Sequence, residues 1–213
     1  MSELDQSAII IGPPKHGKSS IAFELARAHL AQWPTGIALV HDSNGMFSRN
    51  ALCARYETTA AYRAAATTAR KEKRALPRGA SFLCGSDEIA KLAYELGRLH
   101  NNDTNVRVPI MLVYDEAALM DGSGSTHIST LDKQINSNRR HLGVAPVYNI
   151  QWPTMLTRAF YVTATDAYVF SMRSEEDTST LEKYLGLPND RLRPLVGRNK
   201  FSHVHWKQGE GLV

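Results

Sequence analysis

Eight residues near the start, Gly12-Pro13-Pro14-Lys15-His16-Gly17-Lys18-Ser19, fit the pattern GxxxxGK[ST] and restrict the fold more than any other stretch of the chain. Such a loop works only between a buried strand and the first turn of a helix. Its successive backbone N–H groups must converge on phosphate oxygens, and the helix N-terminus adds the positive end of its dipole. The flanks comply, with the apolar run Ala8 to Ile11 before the loop and a helical pattern from Lys18 to Trp33 after it. The glycines allow the backbone to wrap closely round the phosphates, Lys18 is placed for the β and γ phosphates, and the Ser19 hydroxyl for magnesium. Gly12, Pro13, Pro14, Lys15, His16, Gly17, Lys18, Ser19 and Ser20 are therefore expected to hold ATP and Mg2+.

Downstream of the loop, strand-like and helix-like segments alternate. A strand is expected over Gly36 to Val40, then a long Ala-rich basic segment of helical composition from about Ala51 to Leu76, stopped by Pro77 and Gly79. A short strand at Ser81 to Cys84 precedes a helix whose Ile89, Leu92, Ala93, Leu96 and Leu99 share one face. Val108 to Tyr114 is continuously apolar, as in a parallel sheet buried on both faces. A Gly/Ser-rich loop (Asp121 to Ser125) leads to a polar helix (Thr126 to Leu142) and a strand (Val144 to Ile150). A turn and helix follow Pro153, then a strand (Ala167 to Met172), a helix (Glu175 to Leu185) and a last strand within Phe201 to Lys207. This rhythm predicts an α/β fold with a mainly parallel central sheet flanked by helices, as one domain with a basic helical insertion at 51–79 and a basic tail at 191–213.

Composition excludes several classes. The chain has 213 residues, 43% of them hydrophobic and 22% charged, and no apolar run approaches the 18 residues of a membrane span. Ser2, Glu3, Asp5 and Gln6 are polar where a signal peptide needs a positive and then an apolar stretch, so a cytoplasmic place is expected. Cys53 and Cys84 form neither a CxxC pair nor a metal-ligand spacing and read as ordinary thiols. His203 and His205 read as surface or edge residues with no third zinc ligand nearby, and Trp152 as core packing. The net charge of +4 is concentrated. Between Arg55 and Arg78 seven basic residues face two acids, a local balance of +5, which suits either contact with a polyanion or a solvated helix face.

Two further segments bear on phosphate chemistry. Pro109 to Tyr114 is an apolar strand closing in Asp115-Glu116. Asp115, at the end of a neighbouring strand, is expected opposite Ser19 as a magnesium ligand, and Glu116 is expected to polarise the attacking water. An acid beside the metal ligand favours hydrolysis over phosphate transfer to a small acceptor. In Arg139-Arg140-His141-Leu142-Gly143 a basic helix end runs into a strand that closes at Gln151-Trp152-Pro153. Gln151 is expected between the acidic strand and the phosphate loop, sensing the γ phosphate. Arg140, or Arg139, suits an arginine finger reaching a neighbouring subunit's nucleotide, a device worth roughly 10³ to 10⁵ in rate. The alternative role for both arginines is charge complementing the helix dipole.

The order of phosphate loop, Val40-His41-Asp42-Ser43-Asn44-Gly45, Leu112-Val113-Tyr114-Asp115-Glu116-Ala117, Arg139 to Val144, Asn149 to Pro153 and Asp166 to Phe170 resembles the FtsK–HerA superfamily of DNA-pumping ATPases. The small size is similar to its viral branch, the genome-packaging ATPases of icosahedral viruses with an internal membrane. The resemblance covers Ser7 to Leu185 and implies a RecA-like P-loop fold of the ASCE class, in a homo-oligomeric ring, hexameric or pentameric. It also implies double-stranded DNA and a capsid vertex protein as partners, in the host cytoplasm and at a virion packaging vertex. Under it Arg63, Arg70, Lys71, Lys73 and Arg74 become the expected DNA contacts. His141, where the family often has Lys, the doubled arginine and the bulky loop filling depart from the family's pattern. Two rival readings are an AAA+-like loader or remodelling ATPase, suggested by Gly12-Pro13-Pro14 and by Asn149 as a polar sensor, and a protein whose binding surface is only switched by ATP.

Overall fold

The structure, a computed structural model, describes residues 6–42, 45–75, 77–101, 108–115, 129–172, 174–192 and 202–213. In chain order the first half runs β1 (Ala8–Ile11), α1 (Lys18–Gln32), β2 (Ile37–His41), α2 (Met46–Arg49), β3 (Ala54–Tyr56), α3 (Thr59–Lys71), β4 (Gly79–Phe82) and α4 (Ser86–Asn101). The second half runs β5 (Ile110–Tyr114), α5 (Thr130–Leu142), β6 (Val144–Ile150), a 3-10 turn (Pro153–Met155), α6 (Arg158–Thr163), β7 (Asp166–Phe170), α7 (Glu175–Leu185), α8 (Asn189–Leu192), β8 (His203–Lys207) and β9 (Gly211–Leu212).

The strands form one sheet in the order β3-β4-β2-β5-β6-β1-β7-β8-β9. All pairs from β3 to β7 are parallel, and β8 and β9 are added antiparallel. Every residue of β1, β5 and β6 is buried, as strands covered on both faces require, and only Asn149 of β6 interrupts their apolar runs with an amide. Side chains alternate between two packed layers. Ile10, Ala38, Val40, Met111, Val113 and Val147 meet Ala22 and Ala26 of α1 and Phe47 of α2. On the other face Ile9, Ile11, Leu39, Ile110, Leu112, Tyr114 and Tyr148 meet α3 to α7 through residues such as Tyr62, Ile89, Ile135, Phe160 and Leu181. This is the expected α/β fold with helices on both sides of a mainly parallel sheet.

The structure corrects several expectations. The segment read as helical from about Ala51 opens with a strand: Ala54, Arg55 and Tyr56 pair parallel with Ala80, Ser81 and Phe82 and form the edge of the sheet. The helix begins only at Thr59, where the Thr58 hydroxyl accepts from the Ala61 N–H. Alanine-rich composition favours helix, but Tyr56 packs on Tyr62 and Phe82, and that contact outweighs the local preference. Leu99, placed on the apolar face of α4, is 66% exposed, so the buried face of that helix ends before its last turn. β9 and α8 were not expected. The Asp121 to Ser125 loop lies outside the described residues.

Of the seven basic residues between Arg55 and Arg78, one is structural. The Arg78 guanidinium donates to the carbonyls of Gly36 (3.1 Å), Trp33 (2.6 Å) and Leu30, tying down the end of α1. Cys53 is buried, and that burial pushes its thiol up to about 12, the ordinary behaviour of an inert core cysteine. His205 has a carboxylate that the sequence did not reveal: its Nε2 lies 2.8 Å from Asp166 Oδ1, with its ring stacked on Tyr168. Among the described residues no three His, Cys, Asp or Glu side chains are grouped to hold a metal, and no helix is long and apolar enough to cross a membrane.

Candidate nucleotide site

The phosphate loop leaves β1 at the carboxyl edge of the sheet. Gly12 must be glycine because a Cβ there would stand 2.6 Å from the Phe170 Cβ on β7. Its N–H donates to the Ile150 carbonyl (3.2 Å), fixing the loop's start beside the end of β6. Gly17 turns the chain into α1 with φ 95°, a left-handed conformation that side chains resist. Pro13, Pro14, Lys15, His16 and Gly17 complete the loop. Lys15 is itself held at φ 63°, and His16 Nδ1 lies 2.9 Å from the Pro14 carbonyl oxygen. Lys18 is buried, and its ammonium donates to the Gly12 (2.6 Å) and Pro13 (2.9 Å) carbonyls at the mouth of the loop. Ser19 and Ser20 follow in the first turn of α1, where the Ser20 N–H donates back to the Gly17 carbonyl (3.0 Å) and the positive end of the helix dipole meets the loop.

Asp115 comes to this loop across an intervening strand. β6 separates β1 from β5, so the carboxylate stands two strand spacings, about 9 to 10 Å, from the strand of the phosphate loop. The expectation that Asp115 ends a strand neighbouring β1 is corrected accordingly. Pairing of Tyr114 with Tyr148, and of Ile10 with Asn149, aligns Asp115, Asn149 and the end of β1 in one row. The Ser19 hydroxyl donates to Asp115 Oδ1 (2.7 Å), and Asn149 Nδ2 donates to the same oxygen (2.8 Å). Asp115 is only 1% exposed, and its Oδ2 is buried without a hydrogen-bond partner. An orphaned carboxylate oxygen beside a serine hydroxyl and a phosphate loop fits a hard divalent cation such as magnesium, which takes one or two protein oxygens and fills its shell with water and phosphate. The Gly12 to Ser19 cradle fits a polyphosphate for the same electrostatic reasons.

Two neighbouring groups stiffen the floor of the site. Asp42 at the end of β2 accepts N–H bonds from Met46 (2.8 Å), Phe47 (3.1 Å) and Ser48 (3.2 Å), so this second buried acid is used to cap α2. Tyr114 stacks on Tyr148 at 5.4 Å and donates its hydroxyl to Asp132 of α5. Burial pushes the Asp132 carboxyl up and both tyrosines well above their ordinary values, so neither phenol ionises near neutrality.

Gln151 follows β6 directly, half-buried, next to the start of the phosphate loop and between β1 and β5. Glu116 lies outside the described residues. Arg139 and Arg140 are not brought to this edge. They close α5, which leads into the beginning of β6, and the seven residues of that strand put about 20 Å between them and Gln151. Arg139 donates to the Asn136 carbonyl (3.1 Å), and Arg140 is exposed. Arg70, Lys71, Lys73 and Arg74 are exposed at the end of α3, which runs back toward the beginning of β4 and hence to that same far edge. Arg74 pairs with Glu72 (2.6 Å), and Arg63 pairs with Glu95 of α4. Sequence reasoning missed Asn149 as a partner of Asp115 and Arg78 as a clamp. Spacing from Asp115 gave no signal for either, since both depend on strand order.

No protein-family model matches the chain, and no curated protein matches it. Solved structures do. The genome packaging NTPase B204 from Sulfolobus turreted icosahedral virus 2, in complex with AMPPCP, superposes with a TM-score of 0.68 at 12% identity, covering 96% of this chain and 93% of that one. VirB4 of Thermoanaerobacter pseudethanolicus gives 0.65 at 9% identity over 97% of this chain and 88% of that one. The cytoplasmic domain of the Thermomonospora curvata type VII secretion ATPase EccC gives 0.55 at 14% identity, over 98% of this chain but only 25% of that one. The chain therefore has the fold of the P-loop ATPases to which B204, VirB4 and EccC belong, the fold that the resemblance implied.

Proposed function

We propose that the chain is an ATP-hydrolysing motor that packages double-stranded viral DNA into a capsid, acting as a homo-oligomeric ring of six or five subunits. The observation that carries the reading is the Ser19–Asp115 bond beneath the phosphate loop, with Asp115 Oδ2 left open. Nearly full-length likeness in fold to a viral genome-packaging NTPase supports the particular motor. An AAA+ lid is disfavoured by the β8–β9 hairpin that extends the sheet where helices would be needed.

In this reading Lys18 exchanges the Gly12 and Pro13 carbonyls for the β and γ phosphate oxygens. Ser19 and Asp115 hold magnesium, which when bound neutralises charge developing on the phosphates. Glu116 orients and deprotonates the attacking water, and Gln151 reads the presence of the γ phosphate. Because Arg139 and Arg140 lie at the far edge of their own subunit, either acts only on a neighbour's nucleotide. Arg63, Arg70, Lys71, Lys73 and Arg74 meet DNA phosphates, and a capsid vertex protein holds the ring at the packaging vertex in the host cytoplasm.

ATP turnover with and without duplex DNA, beside a native mass of the nucleotide-bound protein, tests the reading. Turnover raised several-fold by DNA in a closed oligomer is expected. A monomer hydrolysing ATP at one rate in both conditions refutes the motor.

A further inference from the structure

We infer that Asn149 is a positioning residue that sets the Asp115 carboxylate for a hydrated magnesium ion, an inference that rests on the proposed nucleotide chemistry. Asn149 is 0% exposed in a strand whose other residues are Val144, Ala145, Pro146, Val147, Tyr148 and Ile150. A buried amide is costly unless its hydrogen bonds are made, and an aliphatic residue would pack there without that cost. The bond from its Nδ2 to Asp115 Oδ1 offsets part of the cost, while its own Oδ1 is buried with no partner. The site thus keeps two orphaned oxygens, Asp115 Oδ2 and Asn149 Oδ1, in one hydrogen-bonded cluster.

The register explains why this position carries the task. Asn149 stands beside Asp115 on one side and beside Ile10 of β1 on the other, so it occupies the gap that the insertion of β6 opens between the phosphate loop and the acid. Ser19 alone would leave the carboxylate one anchoring bond, about which it could swing. Two donors converging on Oδ1 fix its plane and present Oδ2 to the cation. Magnesium retains several water ligands in nucleotide sites, and Asn149 Oδ1 is an acceptor suited to the protons of such a water. Asn149 so acts on the metal through Asp115 and through water, as outer partners of metal ligands commonly do.

The test measures metal-linked binding, not turnover. Calorimetry gives the ATP dissociation constant in EDTA and in excess Mg2+, and the ratio of the two is the gain that magnesium confers. Asn149→Ala is expected to cut that gain by about 10-fold or more, the scale of outer-partner substitutions at metal sites, and to change the EDTA constant less than twofold. Asn149→Leu, which fills the space with apolar atoms, should do the same and serves if the alanine variant fails to fold. An undiminished gain in a folded variant overturns the inference, as does equal weakening in both media, which marks a purely structural residue. Wild-type protein that binds ATP in neither medium overturns the proposed function itself.

Discussion

Removing the Arg78 guanidinium isolates the structural part of the basic segment from any part that meets DNA. Leu30 belongs to the last turn of α1, whose final carbonyls have no partner within the helix. Arg78 supplies that partner and also binds the carbonyls of Trp33 and Gly36, so one side chain holds the helix end and the turn into β2. Each such bond contributes about 1 kcal/mol net, and three with a charged donor at a half-buried site amount to about 3 kcal/mol. For a chain of this size that corresponds to a fall in Tm of about 6 to 12 °C for Arg78→Ala. Arg78→Lys retains the charge but loses the planar fork, so it should recover about a third of the loss. Thermal unfolding followed by far-UV circular dichroism, backed by urea titration, reads both. A Tm within 1 °C of wild type for Arg78→Ala, or full recovery by lysine, refutes the clamp and leaves Arg78 as one more charge of the basic segment.

Further outcomes are expected at the site and on the surface. Lys18→Ala should weaken ATP binding, whereas Glu116→Gln should bind ATP and stall, and near-normal turnover by the latter removes Glu116 from the water-activating role. Mixed oligomers of Arg140→Ala and Glu116→Gln protomers, each inactive alone, should regain part of the activity, and none at any ratio leaves Arg139 as the finger or gives Arg140 a structural role. Neutralising Arg70, Lys71, Lys73 and Arg74 together should flatten the log–log salt dependence of duplex binding by about three to four units, at ~0.9 per phosphate, and an unchanged slope makes the segment a solvated face. Burial holds the His29 imidazole below its ordinary 6.5, so below that pH the unfolded chain takes up a proton that the folded chain refuses. Stability is then complete above 6.5 and declines toward acid by at most ~1.4 kcal/mol per pH unit, a slope that His29→Gln should reduce in urea titrations between pH 7 and 5.

The phosphate loop and its flanks could be read from local spacing because glycine, lysine and serine act there within one turn of chain. The acid of Asp115 was readable for a similar reason: a carboxylate that closes a continuously apolar strand stands at the carboxyl end of the sheet, where the loops of an α/β fold gather. Partnership across strands is another matter. Asn149 lies 34 positions beyond Asp115, and their bond exists only because β6 is inserted between β5 and β1. Arg78 belonged by composition to the basic run, yet its length of reach and the position of the α1 terminus decide its role. Ala54 to Tyr56 misled in the opposite direction, since the strand is held by β4 and by aromatic packing from Tyr62 and Phe82, none of which is visible in a window of alanines and charges.

The sheet ends in short strands on both sides, three residues at β3 and two at β9. A neighbour that tried to continue the sheet would find two or three backbone groups to pair with, too few to hold a register against water. Subunits of the proposed ring must therefore meet through side chains on helices and loops. Such contacts dissociate and re-form without unzipping a ladder, so assembly of the proposed ring should respond to nucleotide and ionic strength.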